Sequence, residues 1–163
     1  MGDITVLQGH EPDEDTMNWW KSTEDKSKEL ERIQANARDV VQVMGDLSKL
    51  ITSLMKKHEL KRMIWIARPA SYDWQWLNCY WNEYLLKCSE EERKAAPRMP
   101  HNSTCVSTMR DVYTNVNGLT KKQVSEELEK CAQGLEITHN PLDDCRTQAK
   151  WYFYLCDKLG VKL

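Results

Sequence analysis

Residues 30–54, LERIQANARDVVQVMGDLSKLITSL, decide the fold class. Their apolar side chains recur at alternating spacings of three and four residues, which is typical of one apolar stripe along an α-helix. Ser22 and Thr23 stand just before acidic residues and can cap the start of such a helix. The pattern therefore predicts a long helix over residues 23–60. The stripe consists of Leu30, Ile33, Ala37, Val40, Met44, Leu47, Ile51 and Leu54.

The rest of the chain also shows helical spacing, interrupted by capping residues, prolines and glycines. No alternation typical of a strand competes with it. The prediction is an all-α fold, with one long N-terminal helix followed by four or five shorter helices. The shorter helices are predicted over residues 72–88, 90–96, 104–116, 121–133 and 141–159.

The first residues differ in composition from the remainder. Residues 1–20 carry five acidic side chains and no Lys or Arg, and they offer little that could be buried before Trp19. Such a composition favours a flexible arm. We expect an acidic N-terminal arm over residues 1–18 and a single helical domain over residues 19–163.

The overall charge argues against two classes of partner. The 163 residues include 23 Lys and Arg against 25 Asp and Glu, a net charge of −2. A general nucleic-acid binder or a polybasic membrane-surface protein carries a basic surplus, so neither is expected. The chain also lacks an apolar run of 18 residues, and we expect no membrane insertion.

Six cysteines, an even number, indicate disulfides and an oxidising compartment. A sequon at Asn102 adds a candidate glycosylation site. We expect a secreted protein whose signal peptide is not part of this chain; the alternative is six reduced cysteines in a cytosolic protein. The candidate disulfide residues are Cys79, Cys88, Cys105, Cys131, Cys145 and Cys156.

Helix geometry limits how these cysteines can pair. Cys79 and Cys88 share one predicted helix and would lie roughly 13 Å apart along its axis. Cys145 and Cys156 share another, with a rise of about 16 Å between them. A disulfide needs Cα atoms within about 7 Å, so both pairs are excluded. Ten of the fifteen possible connectivities remain, with partners undetermined.

Aromatic side chains are the candidate binding residues. Four consecutive rings, residues 151–154, point around the whole circumference of a helix and cannot all face one core. Trp and Tyr are enriched at binding hot spots, so the surplus rings are expected at a partner surface or a ligand cavity. The candidates are Trp19, Trp20, Trp76, Tyr80, Trp151, Phe153 and Tyr154.

Motifs that carry catalysis or bind metals are missing. The sequence contains no nucleophile elbow, phosphate-binding loop or dinucleotide fingerprint. His101 with Cys105 is an isolated pair without the second half of a zinc site, and Cys105 is better explained by a disulfide than by pairing with His139. The acidic pair Asp143–Asp144 is explained by its place at a helix start. We therefore expect no enzyme, no catalytic or metal-binding residues and no cofactor.

Two families of insect salivary proteins resemble this arrangement. An acidic N-terminal region joined to a helical, cysteine-bearing region is similar to the aegyptin-like platelet inhibitors of blood-feeding insects. Six cysteines on helices, and the segment from Asp144 to Cys156, resemble the odorant-binding proteins and their salivary relatives. The resemblance implies a secreted, disulfide-bonded helical protein.

The leading functional hypothesis is a secreted, non-enzymatic protein that binds a protein partner and modulates host haemostasis or immunity. A second hypothesis is a carrier of a small apolar ligand in an aromatic-lined cavity. A third is an intracellular helical adaptor that pairs through its long first helix. None of the three includes nucleic acid as a partner.

Overall fold

A computed structural model describes residues 13–100, 102–135, 137 and 140–162, and these are predominantly helical. The prediction of an all-α fold is confirmed at this level. Within the described residues the order of elements is α1 (Glu14–Trp20), α2 (Glu24–Ala35), α3 (Val40–Lys57), β1 (Ile66–Ala67), α4 (Ala70–Lys87), α5 (Glu90–Ala95), β2 (Thr104–Cys105), α6 (Val106–Val116), α7 (Lys121–Ala132) and α8 (Pro141–Lys158).

The prediction of one long helix over residues 23–60 is wrong, because this segment forms two helices, α2 and α3. Asn36 ends α2 by donating from Nδ2 to the carbonyl of Arg32, at 2.6 Å. Asp39 then begins α3, since its Oδ1 accepts from the backbone N–H groups of Val41 and Gln42. Asn and Asp compete for backbone hydrogen bonds in this way, and apolar spacing alone does not record the interruption.

The shorter helices agree closely with their predicted limits. Capping boxes begin α5 at Ser89 and α7 at Thr120, and Asn140 caps α8. Gly118, Gly134 and Gly160 follow α6, α7 and α8 with φ between 62° and 77°, in the left-handed region that favours glycine after a helix.

A pair of short strands was not predicted. Strands β1 and β2 run parallel, with Ile66 opposite Thr104 and Ala67 opposite Cys105. The backbone N–H of Thr104 also donates to the carbonyl of Trp65, at 2.7 Å. Each strand has only two residues, which is too short for a period-two pattern to be recognised in the sequence.

The described chain divides into two compact units. Unit 1 contains residues 13–53 and 80–96, and unit 2 contains residues 54–79 and 97–162. The predicted acidic arm falls mostly on residues 1–12, outside the described residues, while Glu14–Trp20 form α1. The predicted division into an arm and one domain stays a prediction. None of the described helices is both long and apolar enough to cross a membrane.

Unit 2 contains the main hydrophobic core, formed by α6, α7 and α8. Leu155 and Val124 are completely buried at its centre, and Val106 is 1% exposed. Polar side chains also join these helices: the hydroxyls of Tyr113 and Tyr154 donate to the same carboxylate oxygen of Glu127, at 2.9 and 2.8 Å. The other buried members are Tyr113, Leu128, Ala132, Trp151, Tyr152 and Cys156.

Unit 1 has a smaller buried set. Met44 and Ile51 of α3 and Trp81 and Tyr84 of α4 are buried, with the last two rings 5.5 Å apart. Neither α1 nor α2 buries a residue. Their order comes mainly from local caps, such as Thr23, whose side chain accepts from Lys26 N.

Candidate functional site

The first component of the candidate site is a carboxylate at the turn between β1 and α4. Asp73 lies in the first turn of α4, and its Oδ2 accepts a hydrogen bond from the backbone N–H of Arg68, at 3.3 Å. Because Arg68 directly follows β1, this bond holds the carboxylate beside the end of the strand. The side chain of Asp73 is exposed and is therefore accessible to a ligand from solution.

The second component is a carboxylate in the first turn of α8. Asn140 caps this helix by accepting from Leu142 N, at 3.1 Å, and Pro141 occupies the first helical position. Asp143 and Asp144 follow, where the partial positive charge of a helix N-terminus favours acidic side chains. Asp144 is half-buried, and its charge acts on groups outside its own helix.

Both carboxylates influence the same thiol, Cys145. The pKa of Cys145 is raised above its ordinary value, first by desolvation and then by the negative charges of Asp144 and Asp73. Asp144 is the sequence neighbour of this thiol, whereas Asp73 belongs to a different helix. The site therefore combines one acidic side chain from α4 with one from α8.

The third component is a pair of cations. The Arg68 guanidinium lies over the Trp151 ring, 4.4 Å from its centroid. Its pKa is lowered by burial and by the positive charge of Arg110, with Asp144 opposing the shift. Arg110 lies on α6 and pairs with Asp111, at 3.0 Å. Acidic and basic groups therefore occur together near the end of β1 and the start of α8.

Cys105 belongs to the same neighbourhood. It pairs with Ala67 in the short sheet and occupies the N-cap position of α6. Burial tends to raise its pKa, but polar contacts with the backbone of Ala70 and with Thr108 outweigh burial and lower it. The site residues therefore come from five separate parts of unit 2: the end of β1, the start of α4, β2, α6 and the start and middle of α8.

Asp73 and Asp144 are the residues that could hold a metal. Carboxylate oxygens are hard ligands of the kind that Mg²⁺ prefers, and Mg²⁺ often takes one or two carboxylates and completes its shell with water and substrate phosphates. The described residues contain no group of three or more acidic, His or Cys side chains able to hold a metal by themselves. The donor pair fits a cation that is shared with a phosphate-bearing substrate.

The cysteines do not form the predicted disulfides, because all six are free thiols. Two of them instead donate to carbonyls of their own helical turn: Cys88 Sγ to Leu85 at 3.5 Å, and Cys131 Sγ to Leu128 at 3.1 Å. Cys156 packs in the core of unit 2, and Cys79 is exposed. The thiols therefore serve as small apolar or weakly polar side chains.

The predicted aromatic residues are distributed over both units, and their role in binding stays a prediction. Trp19 and Trp20 contact each other on α1, with centroids 5.1 Å apart, and Lys26 covers Trp19 at 3.9 Å. Trp76 and Tyr80 lie on α4. On α8, Phe153 is 58% exposed and packs against Tyr152, Tyr154 binds Glu127, and only Trp151 belongs to the candidate site.

The remaining predicted sites have different outcomes. Asn102 is exposed just before β2, and its glycosylation stays a prediction. His101 and His139, considered for metal binding and catalysis, lie outside the described residues. A pocket of about 270 Å³ in unit 2 is lined by Met, Pro, Lys and Arg side chains and by none of the predicted rings.

Asp73 was not among the predicted site residues, and Asp144 was predicted only to stabilise a helix start. Asp73 lies inside a Trp- and Tyr-rich helix, and no spacing connects it with a residue 71 positions later. Asp144 lies in the first turn of a helix, as predicted. Because this position already explains an acidic residue, the sequence did not indicate that Asp144 also acts on Arg68. The Arg68–Pro69 dipeptide was expected only to end a helix. In the structure its peptide bond is cis and lies in the turn between β1 and α4, next to Asp73.

Comparison with known proteins gives one match. A family model described as the 3'-5' exoribonuclease Rv2179c-like domain matches residues 3–156, which include every component of the candidate site. No curated protein and no solved structure matches significantly.

This match corrects the functional predictions. The matched family is defined by an RNA-degrading enzyme, so the expectations of a non-enzymatic binder, of its carrier and adaptor alternatives, and of no nucleic-acid partner are wrong. The resemblance to salivary proteins is wrong for the same reason. The balanced net charge is an average over the chain, so it does not show that Arg68 and Arg110 lie close enough to influence each other. An extracellular location stays a prediction.

Proposed function

The chain belongs to the Rv2179c-like 3'-5' exoribonuclease domain family, and from this premise we propose that it removes nucleotides from the 3' end of RNA at the candidate site of unit 2. The family match over residues 3–156 is the observation that carries the proposal. The structure supports it, because Asp73 of α4 and Asp144 of α8 both lie close enough to the Cys145 thiol for their charges to raise its pKa.

Phosphodiester hydrolysis suits this pair of carboxylates. Water must lose a proton to attack phosphorus, and the negative charge that develops on the phosphoryl oxygens must be stabilised. A divalent cation bound by Asp73 and Asp144 would supply Lewis-acid stabilisation of that charge. The chain itself fixes the two carboxylates, Asp73 through the N–H of Arg68 and Asp144 through the capped start of α8.

The test is degradation of a single-stranded RNA that carries a 5' label and a free 3' hydroxyl, with Mg²⁺ present. The expected product is a ladder of labelled fragments that shorten progressively, because the label is retained while nucleotides leave the other end. A circular RNA of the same sequence has no end and should resist.

Asp144→Asn tests the assignment of the site. It keeps the size of the side chain but removes its charge, and we expect the rate to fall on the order of 100-fold or more. Asp157→Asn is the matched control, because it makes the same change at an exposed position further along α8. Equal rates for wild type and Asp144→Asn, or cleavage of the circular RNA, would contradict the proposal.

A further inference from the structure

The Arg68 side chain is held more firmly than a surface cation. Its guanidinium lies 4.4 Å from the centroid of the Trp151 ring. The ring is 8% exposed, and its Nε1 donates to the carbonyl of Leu128 in α7, at 2.9 Å. The indole is thus anchored in the core of unit 2, and it presents a fixed face on which the planar cation rests.

Arg68 also lies within the acidic site. Its backbone N–H binds Asp73 at 3.3 Å, and its guanidinium lies in the field of Asp144. Arg110 brings a second positive charge from α6, although the two guanidinium groups repel each other. Arg110 pairs with Asp111 at 3.0 Å, yet its charge still acts on Arg68, and an anion near both guanidinium groups would offset that repulsion.

We propose that Arg68, together with Arg110, binds a phosphate group of the RNA substrate beside Asp73 and Asp144. This inference rests on the proposed function. Two carboxylates repel the phosphodiester backbone that they must approach, and guanidinium groups at their side offset that repulsion. The planar fork of Arg can also bind two phosphate oxygens at once, which fixes the orientation of the phosphate.

A purely structural role for Arg68 would give different results. If the stacked guanidinium only covers Trp151, its loss should change the stability of unit 2 and leave the ionic-strength dependence of RNA binding unchanged. If Arg68 binds phosphate, its loss should make that dependence shallower, because fewer counterions are released when RNA binds. Arg68→Lys separates charge from shape, since Lys keeps the charge but neither stacks nor forks in the same way.

The experiment measures binding of a fluorescein-labelled single-stranded RNA by anisotropy, in Ca²⁺ to prevent turnover, across a series of KCl concentrations. For Arg68→Ala we expect affinity to fall about tenfold and the slope of log Kd against log salt to decrease by roughly 0.7. Compared with Arg68→Ala, Arg68→Lys should restore most of the salt dependence of Kd but not the affinity for RNA. Arg110→Ala, which leaves the Trp151 stack intact, should lower affinity and slope in the same direction.

Lys158→Ala is the matched control. Lys158 lies over the Tyr154 ring at 5.4 Å, so this variant also removes one cation from an aromatic face of α8. It should leave affinity and slope within twofold of wild type. Circular dichroism checks the folding of each variant, and if Arg68→Ala fails to fold, Arg68→Lys and Arg110→Ala carry the test.

Separate outcomes identify which proposal fails. Folded Arg68 and Arg110 variants that bind RNA with wild-type affinity and slope would overturn the phosphate assignment. If in that case wild type still degrades RNA and Asp144→Asn does not, the proposed function stands. A wild-type chain that neither binds nor degrades the RNA would overturn both proposals.

Discussion

The two units differ in how their helices are stabilised. In unit 2, α6, α7 and α8 surround Leu155 and Val124, both fully buried, and Trp151, whose ring carries Arg68, belongs to the same core. In unit 1, α1 and α2 bury no residue and depend on caps and surface ion pairs. The comparison shows that strong helical spacing does not by itself identify the part of the chain that supports function.

The apolar stripe of α3, which is only partly buried, shows that regular spacing and burial are different properties. Leu50 is 55% exposed and Leu54 is 43% exposed, although both lie on or beside the most regular apolar pattern in the sequence. The spacing of α8 is no more regular, yet five of its residues are buried. Burial requires a second helix that packs on the apolar face, whereas the spacing of apolar residues shows only that such a face exists.

The largest expected effect comes from the core of unit 2. Leu155→Ala should lower the free energy of unfolding by about 2–5 kcal/mol, because it removes a fully buried side chain and leaves a cavity. Leu50→Ala, the same substitution at an exposed position of α3, should change it by no more than about 0.5 kcal/mol. Urea unfolding followed by circular dichroism compares them, and equal losses would contradict the difference between the units.

Alkaline pH should weaken unit 2 through its tyrosines. Burial and the Glu127 carboxylate raise the pKa values of Tyr154 and Tyr113 above 10. An unfolded tyrosine loses its proton near pH 10, so above that pH the unfolded chain is deprotonated first and stability falls as pH rises. Tyr154→Phe should flatten this fall in urea midpoints between pH 9 and 11.

Tyr72→Phe is the control for the alkaline effect, because this ring is 60% exposed on α4. It should leave the pH profile of the midpoint unchanged. A Tyr154→Phe profile as steep as that of wild type would show that deprotonation of Tyr154 does not cause the alkaline loss of stability.

Removal of a helix cap should lower stability more in unit 2 than in unit 1, although the difference is smaller than for the core substitutions. Thr120→Ala deletes the capping box of α7, a core helix, and should lower the unfolding free energy by about 1 kcal/mol. Thr23→Ala deletes the cap of α2, which buries nothing, so we expect local fraying without a shift of the main transition. Hydrogen exchange of the two helices measures this. Global loss of protection in Thr23→Ala would contradict it.

The smallest effect is expected at exposed ion pairs. Glu24 and Lys28 pair at 2.6 Å on α2, but their side chains are 80% and 67% exposed. Solvent and salt screen such pairs, so Glu24→Gln should leave the urea midpoint unchanged within error. A measurable loss that disappears in 0.5 M NaCl would show that α2 depends on this contact more than its exposure suggests.

Local signals in the sequence predicted most of the helices. Ser89, Thr120 and Asn140 each cap the helix that their chemistry indicates, because capping involves only a few neighbouring residues. The break between Asn36 and Asp39 was hidden, because polar side chains interrupted the backbone while the apolar spacing continued. The two-residue strands lacked the length to show a period.

The candidate site could not be predicted from local signals. Asp73 and Asp144 come from different helices and both act on the Cys145 thiol, and no sequence spacing records that proximity. The cysteines show a related difficulty: an even count indicates disulfides only when the thiols meet, and here two thiols contact carbonyls, Cys156 lies in the core, and Cys79 and Cys145 are exposed. The site depends on tertiary contacts that only the fold supplies.

The most direct test of the central claim, that α4 and α8 each contribute a carboxylate to one RNA-degrading site, is a double-mutant cycle. Asp73→Asn, Asp144→Asn and the double variant are compared with wild type by their rates on the 5'-labelled RNA. Residues that act as one unit are strongly non-additive, so the double variant should be about as slow as either single variant. A wild-type rate for Asp73→Asn, or losses that multiply in the double variant, would contradict the claim.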